Sequence, residues 1–310
     1  MYDLTPTLNL SHEEWLKLRK SGIGGSDAGA IMGVNPYRSI FDVYNDKTSD
    51  EISLADNEAM RQGRDLEEYV AKRFTEETGL KVRRSNMMYR NSQNPFMIAD
   101  VDRLVVGEDA GLECKTANAY AADNWADGKV PLHYIMQCMH YMAVTGRKSW
   151  YIAVLIMGKE FKYTKITWDD EIIKSMIEVE RSFWYKNVVS GILPAPDGSE
   201  SCGKTIDRLF NETADNERIM PLEEFKHKLD KRAVLIEHIE ELKREQAKIE
   251  QEIKLHMQDC TKAESADYKI SWNSISSMRL DAERIKREMP DIYKEYAKPV
   301  VSRRFVVKAA

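Results

Sequence analysis

The sequence predicts a mixed α/β fold, an α+β arrangement in which a mixed sheet is flanked by helices. Three observations predict it. Helical periodicity runs from Asn57 to Thr78. Three strand-like segments separated by turn signals then follow over residues 80–117. Finally, two segments of strand character form a β-hairpin pattern over residues 149–168.

The N-terminal region predicts three short helices. Ser11 and Glu14 form a capping-box pattern, which predicts a helix start, and the glycine cluster at 22–25 ends that helix. A second helix is expected from Ser26 to about Ile31. Ser39 then opens a third.

The region after residue 56 predicts a long helix followed by strands. The helix over 57–78 ends at Gly79, a residue suited to a helix C-terminus. Segments 80–90, 96–106 and 111–117 have strand character, and their spacing predicts an antiparallel meander.

The second half of the core alternates helix and strand. Pro131 begins a helix to about Val144, which Gly146 ends. The hairpin turns at Gly158-Lys159, and its first strand is apolar enough to be central in a sheet. A helix is expected over 169–190.

Composition changes after this helix, where a Gly/Pro-rich stretch predicts the exit from a compact domain. Apolar residues then recur at near-heptad steps interrupted by Arg232 and Gln246, which predicts a long amphipathic, coiled-coil-like arm. The predicted segments are a core (1–195), a linker (196–220), the helical arm (221–260) and a small C-terminal β-α-β cap (261–310).

Composition also restricts the class of protein. No apolar run approaches the length of a transmembrane helix, and the N-terminus lacks the layout of a signal peptide, so we expect a cytoplasmic protein with no membrane partner. The cysteines at 114, 138, 202 and 260 lack metal-ligand spacing, and we expect reduced, buried thiols.

A formal net charge of −5 is unusual for a protein that binds nucleic acid. Basic residues confined to one channel would resolve this, although a solvated charged surface explains them as well. The candidates are Arg61, Arg64, Lys72, Arg73, Arg83, Arg84 and Arg90.

The residues that carry chemistry are Asp102, Glu113 and Lys115. Alternate residues of a strand share a face, so Glu113 and Lys115 point the same way, and the turn GEDAG brings Asp102 opposite Glu113. Two carboxylates, with the backbone carbonyl of Cys114 as a third ligand, suit Mg²⁺ or Mn²⁺. Such a metal centre would serve phosphodiester hydrolysis, with Lys115 holding or activating the attacking water. Cross-strand ion pairs on an exposed surface are the alternative.

Two further residues extend this centre. Glu67 lies on the long helix before the strands, which allows it to present a carboxylate to the sheet edge as a further metal ligand, while Glu68 is expected to be solvated. Gln137 interrupts an apolar helix and needs a partner if buried; a water-facing position is equally compatible with the periodicity.

The glycine-rich turn between Arg19 and Asp27 is a candidate phosphate pocket. Backbone N–H groups, the Ser26 hydroxyl and the Arg19 guanidinium suit a terminal phosphate, although a plain structural turn is the alternative. The turn matches neither the P-loop nor the dinucleotide-binding pattern, which disfavours nucleotide cofactors.

The order of these motifs resembles the YqaJ-type viral recombinase family, relatives of the phage lambda exonuclease among the PD-(D/E)XK nucleases of restriction-endonuclease-like fold. The matching motifs are R-x-x-G-I-G-G-S-D from Arg19 to Asp27, G-x-x-x-E from Gly63 to Glu67, V-D-R at Asp102, G-L-E-C-K-T around Glu113 and Lys115, and Gln137. The resemblance spans residues 15–190.

The resemblance implies a Mg²⁺-dependent exonuclease of a phage or prophage that digests one strand of linear double-stranded DNA from 5′ to 3′. It implies that residues matching Arg19 and Ser26 hold the 5′-phosphate, that subunits form a ring around DNA, and that an annealing protein receives the exposed strand. The arm at 221–260 and the C-terminal element depart from the shorter lambda-type enzymes, which leaves subunit number open. An endonuclease, or a non-catalytic DNA-binding assembly protein, remains an alternative.

Overall fold

The computed structural model describes residues 1–50, 57–210, 221–298 and 304–308. The chain divides into two compact units, Met1–Phe210 and Asn211–Ala310. Among the helices in the described ranges, none is both long enough and apolar enough to cross a membrane.

The first unit contains two sheets. In chain order its strands are β1 (Tyr2–Pro6), β2 (Val82–Arg83), β3 (Met87–Asn91), β4 (Ile98–Asp100), β5 (Arg103–Val105), β6 (Ala110–Ala117), β7 (Ser149–Ile156) and β8 (Glu160–Thr167). The larger sheet has the order β2-β5-β6-β7-β8, and the smaller has β1-β3-β4. β6 and β7 are parallel, whereas the other named pairs are antiparallel. The predicted fold class, a mixed sheet flanked by helices, is confirmed.

Seven α-helices surround these sheets within the described part of the first unit. They are α1 (His12–Lys20), α2 (Gly25–Ile31), α3 (Ile40–Thr48), α4 (Glu58–Thr78), α5 (Leu132–Thr145), α6 (Asp170–Ser182) and α7 (Glu200–Leu209). The capping box at Ser11 and Glu14 is present, and Gly79 and Gly146 take the left-handed conformation that ends α4 and α5. A short π-helix, Phe183–Val189, continues α6 and completes the predicted helix.

The parallel pairing of β6 with β7 requires a long crossover, which a 3₁₀ helix (Ala119–Gly128) and α5 supply. Side chains of β7 alternate between two apolar clusters. Ile152 and Val154 join the cluster that contains α5, whereas Tyr151 and Ala153 join the cluster that contains α4. The central strands are therefore covered on both faces.

Two glycines allow close packing at the centre of the unit. A Cβ atom added to Gly111 of β6 would lie 2.2 Å from the Trp150 ring. One added to Gly25 of α2 would lie 2.4 Å from the Tyr141 ring of α5. Neither position leaves room for a methyl group. Glycine at these two positions therefore lets β6 lie close to Trp150 and lets α2 lie directly against α5.

The predicted meander of three continuous antiparallel strands is wrong, because two of the three segments each divide into two strands. The segment 80–90 divides into β2 and β3, which belong to different sheets, and 96–106 divides into β4 and β5. Asn86 has a φ of 51°, a left-handed conformation that interrupts the first of these segments. β1 was not predicted, and all five of its residues are exposed.

The predicted linker differs from the structure in its first half. Helix α7 packs on α3, where Ser201 and Thr205 both donate hydrogen bonds to the Asp42 carboxylate. The first unit accordingly extends to Phe210 rather than to residue 195. Residues 211–220 lie outside the described residues.

The second unit is described by itself. Its arm forms one helix, α8 (Lys226–Met257), on which Leu235, Ile239 and Leu242 are exposed. Strands β9 (Lys262–Glu264) and β10 (Lys269–Ser271) pair antiparallel, and α9 (Ala282–Glu288) and α10 (Pro290–Tyr296) follow.

The C-terminal element thus differs from the predicted β-α-β cap. The first predicted strand pairs with β9, so the element begins as a hairpin. Residues 304–308 of the predicted last strand form no regular structure, and 302–303 lie outside the described residues.

All four cysteines are free thiols. Cys138 and Cys202 are buried and Cys114 is half-buried, whereas Cys260 is exposed. The expectation of burial is therefore wrong for Cys260, which follows the C-terminus of α8.

A buried ion pair connects α5 to α6. His140 Nδ1 lies 2.8 Å from Glu180 Oε1, and His140 Nε2 lies 2.9 Å from the Ile98 carbonyl oxygen. Both ring nitrogens face oxygen acceptors, which favours the doubly protonated imidazolium. Burial alone would lower the pKa of His140, but the Glu180 carboxylate raises it above its usual value.

We expect Glu180→Gln to reduce the free energy of unfolding most at low pH. Because the folded-state pKa of His140 is raised, its contribution is fully present below the unfolded value of about 6.5 and is lost as pH rises through the folded value. Removing one partner of a buried pair costs about 3 kcal/mol. Urea unfolding of both proteins from pH 5.5 to 9 measures the difference, and a pH-independent difference would contradict this assignment.

Candidate active site

Strands β5 and β6 bring together the three residues of the predicted centre. Asp102 immediately precedes β5, and its Oδ2 accepts a hydrogen bond of 2.8 Å from the Cys114 backbone N–H in β6. Glu113 Oε1 lies 2.7 Å from Lys115 Nζ. Glu113 is buried, and Lys115 is half-buried. The strand periodicity thus predicted correctly which side chains share a face.

Gln137 is buried beside this centre. Its Nε2 donates to Glu113 Oε1 at 2.7 Å and to the Tyr141 hydroxyl at 2.8 Å. Gln137 is therefore buried with hydrogen-bond partners, as one of the two interpretations required, and does not face water. Tyr141 was missed by the sequence analysis, although its position four residues after Gln137 places it on the same helix face.

Glu67 projects from α4 and contacts Arg103 of β5. The buried Arg103 guanidinium forms ion pairs with Glu67 and with Glu68, the latter at 3.0 Å, and donates to the Asp102 carbonyl oxygen at 2.7 Å. Glu68 is exposed but also pairs with Arg84. The sequence analysis predicted neither ion pair, and Arg103 is the residue that positions Glu67 beside Asp102.

Burial and neighbouring charges shift the pKa values of Asp102, Cys114 and Lys115. Burial, and then the negative charges of Glu113 and Glu67, raise the pKa of Asp102 well above its usual value. Burial alone would lower the pKa of Lys115, but the Glu113 carboxylate raises it above its ordinary range, so the ammonium stays charged. Burial raises the pKa of the Cys114 thiol, so the thiol stays protonated at neutral pH and is unsuited to hold a metal as a thiolate.

The donor set fits a hard divalent cation. Glu113 Oε2 is buried and accepts no hydrogen bond from the described residues. No group of three His, Cys, Asp or Glu side chains capable of holding a metal occurs within the described ranges. Mg²⁺ requires only one or two protein carboxylates and keeps several waters. Asp102, Glu113 and the Cys114 carbonyl are therefore suitable ligands, whereas the Glu67 carboxylate is engaged by Arg103.

The predicted phosphate pocket lies in the same cleft. Arg19 Nη2 donates to Ser26 Oγ at 3.0 Å, and the guanidinium lies over the Trp15 ring at 4.9 Å. Trp15 Nε1 in turn donates to Asp100 Oδ2 at 2.6 Å. The backbone N–H of Gly24 donates to Asp27 Oδ2 and is therefore not available to a phosphate.

Asp27 holds this turn in place from within the core. It is fully buried, and its Oδ2 lies 2.9 Å from both the Gly24 nitrogen and Lys47 Nζ, while Arg38 contacts its other oxygen. Burial alone would raise the pKa of Asp27, but the charges of Lys47 and Arg38 outweigh burial and hold the pKa far below its usual range. The residue is therefore ionised at neutral pH.

One cleft of about 450 Å³ joins the two parts of the site. Its lining includes the predicted residues Arg19, Ser26, Glu67, Asp102, Glu113 and Gln137. Of the seven basic candidates for a channel, only Arg64 and Arg84 line this cleft. Arg61, Lys72 and Arg73 form ion pairs with acidic residues of their own helix, which agrees with a solvated surface.

Comparison with known proteins identifies the family. Residues 14–148 match the model of the YqaJ-like viral recombinase domain. The chain is 37% identical over 309 residues to the uncharacterised protein YqaJ of Bacillus subtilis (strain 168), covering 98% of this chain and 97% of that protein. This chain belongs to the YqaJ family. The five-motif resemblance found in the sequence is thereby confirmed.

Solved structures show the fold of this YqaJ-family member. An alkaline exonuclease (LHK-Exo) from Laribacter hongkongensis superposes with a TM-score of 0.50 at 23% identity, covering 64% of this chain and 99% of that protein. A structure of LHK-Exo with dAMP matches with a TM-score of 0.50 at 24% identity, covering 58% of this chain and 93% of that one. The matched part of this chain thus has the fold of these exonucleases.

We expect Asp27→Asn to lower the free energy of unfolding by about 3–5 kcal/mol, because it leaves the buried Lys47 ammonium without its anion. Asp46→Asn is the matched control. Asp46 lies 3.4 Å from both Arg38 and Lys47, but its side chain is 44% exposed, so its loss should cost about 0–1 kcal/mol. Urea unfolding at pH 7 compares the two variants, and equal losses would contradict the assigned role of Asp27.

Proposed function

We propose that this chain is a Mg²⁺-dependent exonuclease that degrades one strand of linear double-stranded DNA from 5′ to 3′. Mn²⁺ is the expected substitute metal. The observation that carries the proposal is that Asp102 and Glu113 line the same cleft as Arg19 and Ser26, while Lys115 forms an ion pair with Glu113. The first group suits phosphodiester hydrolysis, and the second suits a terminal phosphate.

A bound Mg²⁺ supplies Lewis-acid polarisation of the phosphodiester and lowers the pKa of water at the site. The chain's own residues do the rest. Asp102, Glu113 and the Cys114 carbonyl provide the ligand oxygens, and Gln137 orients the Glu113 carboxylate through a hydrogen bond of 2.7 Å. Lys115, protonated because of its raised pKa, donates hydrogen bonds to the attacking water and offsets negative charge on the phosphate.

Polarity follows from the phosphate pocket in this proposal. Arg19 is poised by the Trp15 ring and by Ser26, so its guanidinium offers charge-assisted hydrogen bonds to a 5′-phosphate. A strand held by its 5′-phosphate in the cleft presents a nearby phosphodiester to Glu113 and Lys115. Degradation from this end leaves the complementary strand single-stranded.

The biological role that we propose is phage-type homologous recombination by strand annealing. The partners are double-stranded DNA ends, a single-strand annealing protein of the same phage, and further copies of this chain in a ring. Support comes from the family resemblance to viral recombinases. Sedimentation analysis of the full chain tests the ring, and a monomer at micromolar concentration would exclude it.

We expect Lys115→Ala to reduce kcat on linear duplex DNA by about 10²–10³ while DNA affinity is retained, because the variant loses one charged donor at the reacting phosphate. Lys81→Ala, which changes an exposed lysine outside the cleft, is the control and should match the wild type. Release of nucleotides in Mg²⁺ is the measurement. Equal activity in Lys115→Ala would remove the proposed centre, and cutting of closed circular plasmid would favour an endonuclease.

We expect the wild type to degrade 5′-phosphorylated duplex faster than 5′-hydroxyl duplex, and Arg19→Ala to lose about tenfold to hundredfold of that preference. The reason is the loss of charge-assisted hydrogen bonds to the phosphate. Lys17→Ala is the control on the same helix, since Lys17 is exposed and pairs with Glu13. A time course on duplex labelled at either end also gives the polarity, and unchanged discrimination in Arg19→Ala would contradict the pocket.

A further inference from the structure

Four aromatic rings form a continuous series beside the catalytic residues, and we call this series the aromatic platform. Trp125 stacks on Tyr134 with ring centroids 5.6 Å apart. Tyr134 contacts His133 at 4.0 Å, and His133 contacts Tyr37 edge to face at 6.0 Å. The rings come from three separate segments, namely the 3₁₀ helix after β6, the first turn of α5 and the loop between α2 and α3.

Lys115 connects this platform directly to the catalytic centre. Its Nζ lies 2.7 Å from Glu113 Oε1 and 4.8 Å from the centroid of the Tyr134 ring. The ammonium therefore makes an ion pair on one side and a cation–π contact on the other. Glu113 and the Tyr134 ring thus share one ammonium group.

The aromatic platform is buried at Trp125 and exposed at Tyr37. Trp125 is buried, and a Cβ atom at Gly29 would lie 2.8 Å from the His133 Cβ atom, so α2 packs tightly against the start of α5. Tyr37 is 76% exposed. Burial, and then the nearby Lys115 charge, lower the pKa of His133, which leaves an uncharged ring at neutral pH.

We propose that the aromatic platform stacks the unpaired bases of a DNA strand whose backbone lies in the catalytic cleft. The inference rests on the proposed function. Neutral flat rings bind the π-face of a base and not a phosphate, and stacking tolerates every sequence, as a nuclease that proceeds along a strand requires. Lys115 contacts both Glu113 and the Tyr134 ring. Nucleic acid suits this arrangement, because its phosphates would contact the charged groups while its bases would contact the adjacent rings.

A binding experiment with two substrates and three proteins tests this inference. The probe is a 5′-phosphorylated duplex with a 5′ overhang of a few thymidines, and the second probe carries abasic residues at those positions. Affinity is measured by fluorescence anisotropy in EDTA for the wild type, Tyr37→Leu and Tyr37→Phe. Because Tyr37 is exposed, neither substitution disturbs the core.

We expect Tyr37→Leu to weaken binding of the thymidine overhang about fivefold to hundredfold, and Tyr37→Phe, which keeps the ring, to bind like the wild type. Removing the bases should weaken wild-type binding by a similar factor but leave Tyr37→Leu almost unchanged, since ring and base act together. Equal weakening on both probes would assign Tyr37 a structural role and overturn the inference.

The outcomes also separate this inference from the proposed function. A wild type that degrades linear duplex in Mg²⁺ but shows no coupling between Tyr37 and the bases retains the function and loses only the platform. A wild type that neither binds nor cuts DNA removes both.

Discussion

The buried carboxylate of Glu113 is the interaction on which the arrangement of the site depends. One of its oxygens accepts from both Lys115 and Gln137, which joins β6 to α5 through a charged contact inside the unit. Its other oxygen accepts no hydrogen bond from the described residues. An anion buried in this way costs several kcal/mol unless it is compensated, and Lys115 and Gln137 supply that compensation at one oxygen only.

Much of this site followed from local sequence alone. Strand periodicity fixes Glu113 and Lys115 on one face and Cys114 on the other, whatever the rest of the chain does. A tight turn between β5 and β6 places Asp102 close to Cys114 in the same way. Helix α4 was predictable for a similar reason, because its apolar spacing and the glycine that ends it are local signals.

The remaining features depend on contacts that no local pattern encodes. Arg103 meets Glu67 across a separation of 36 residues, and a charged residue in a strand predicts exposure more often than a buried position. The division of the expected meander between two sheets is equally nonlocal. β3 does not join the sheet of β2 but pairs with β1 from the N-terminus. The aromatic platform likewise joins three segments whose proximity only the folded chain defines.

The parallel alignment of β6 with β7 has a consequence for how the chain acquires its structure. β5 and β6 pair through a short turn, but β7 joins them only after the crossover over residues 118–148 has closed. Nonlocal closure of this kind is slow compared with hairpin formation. During synthesis, a nascent polypeptide that still holds residues 149–156 in the ribosome carries Glu113 on an unsupported edge. We therefore expect Glu113 to reach its buried position only after β7 has joined the sheet.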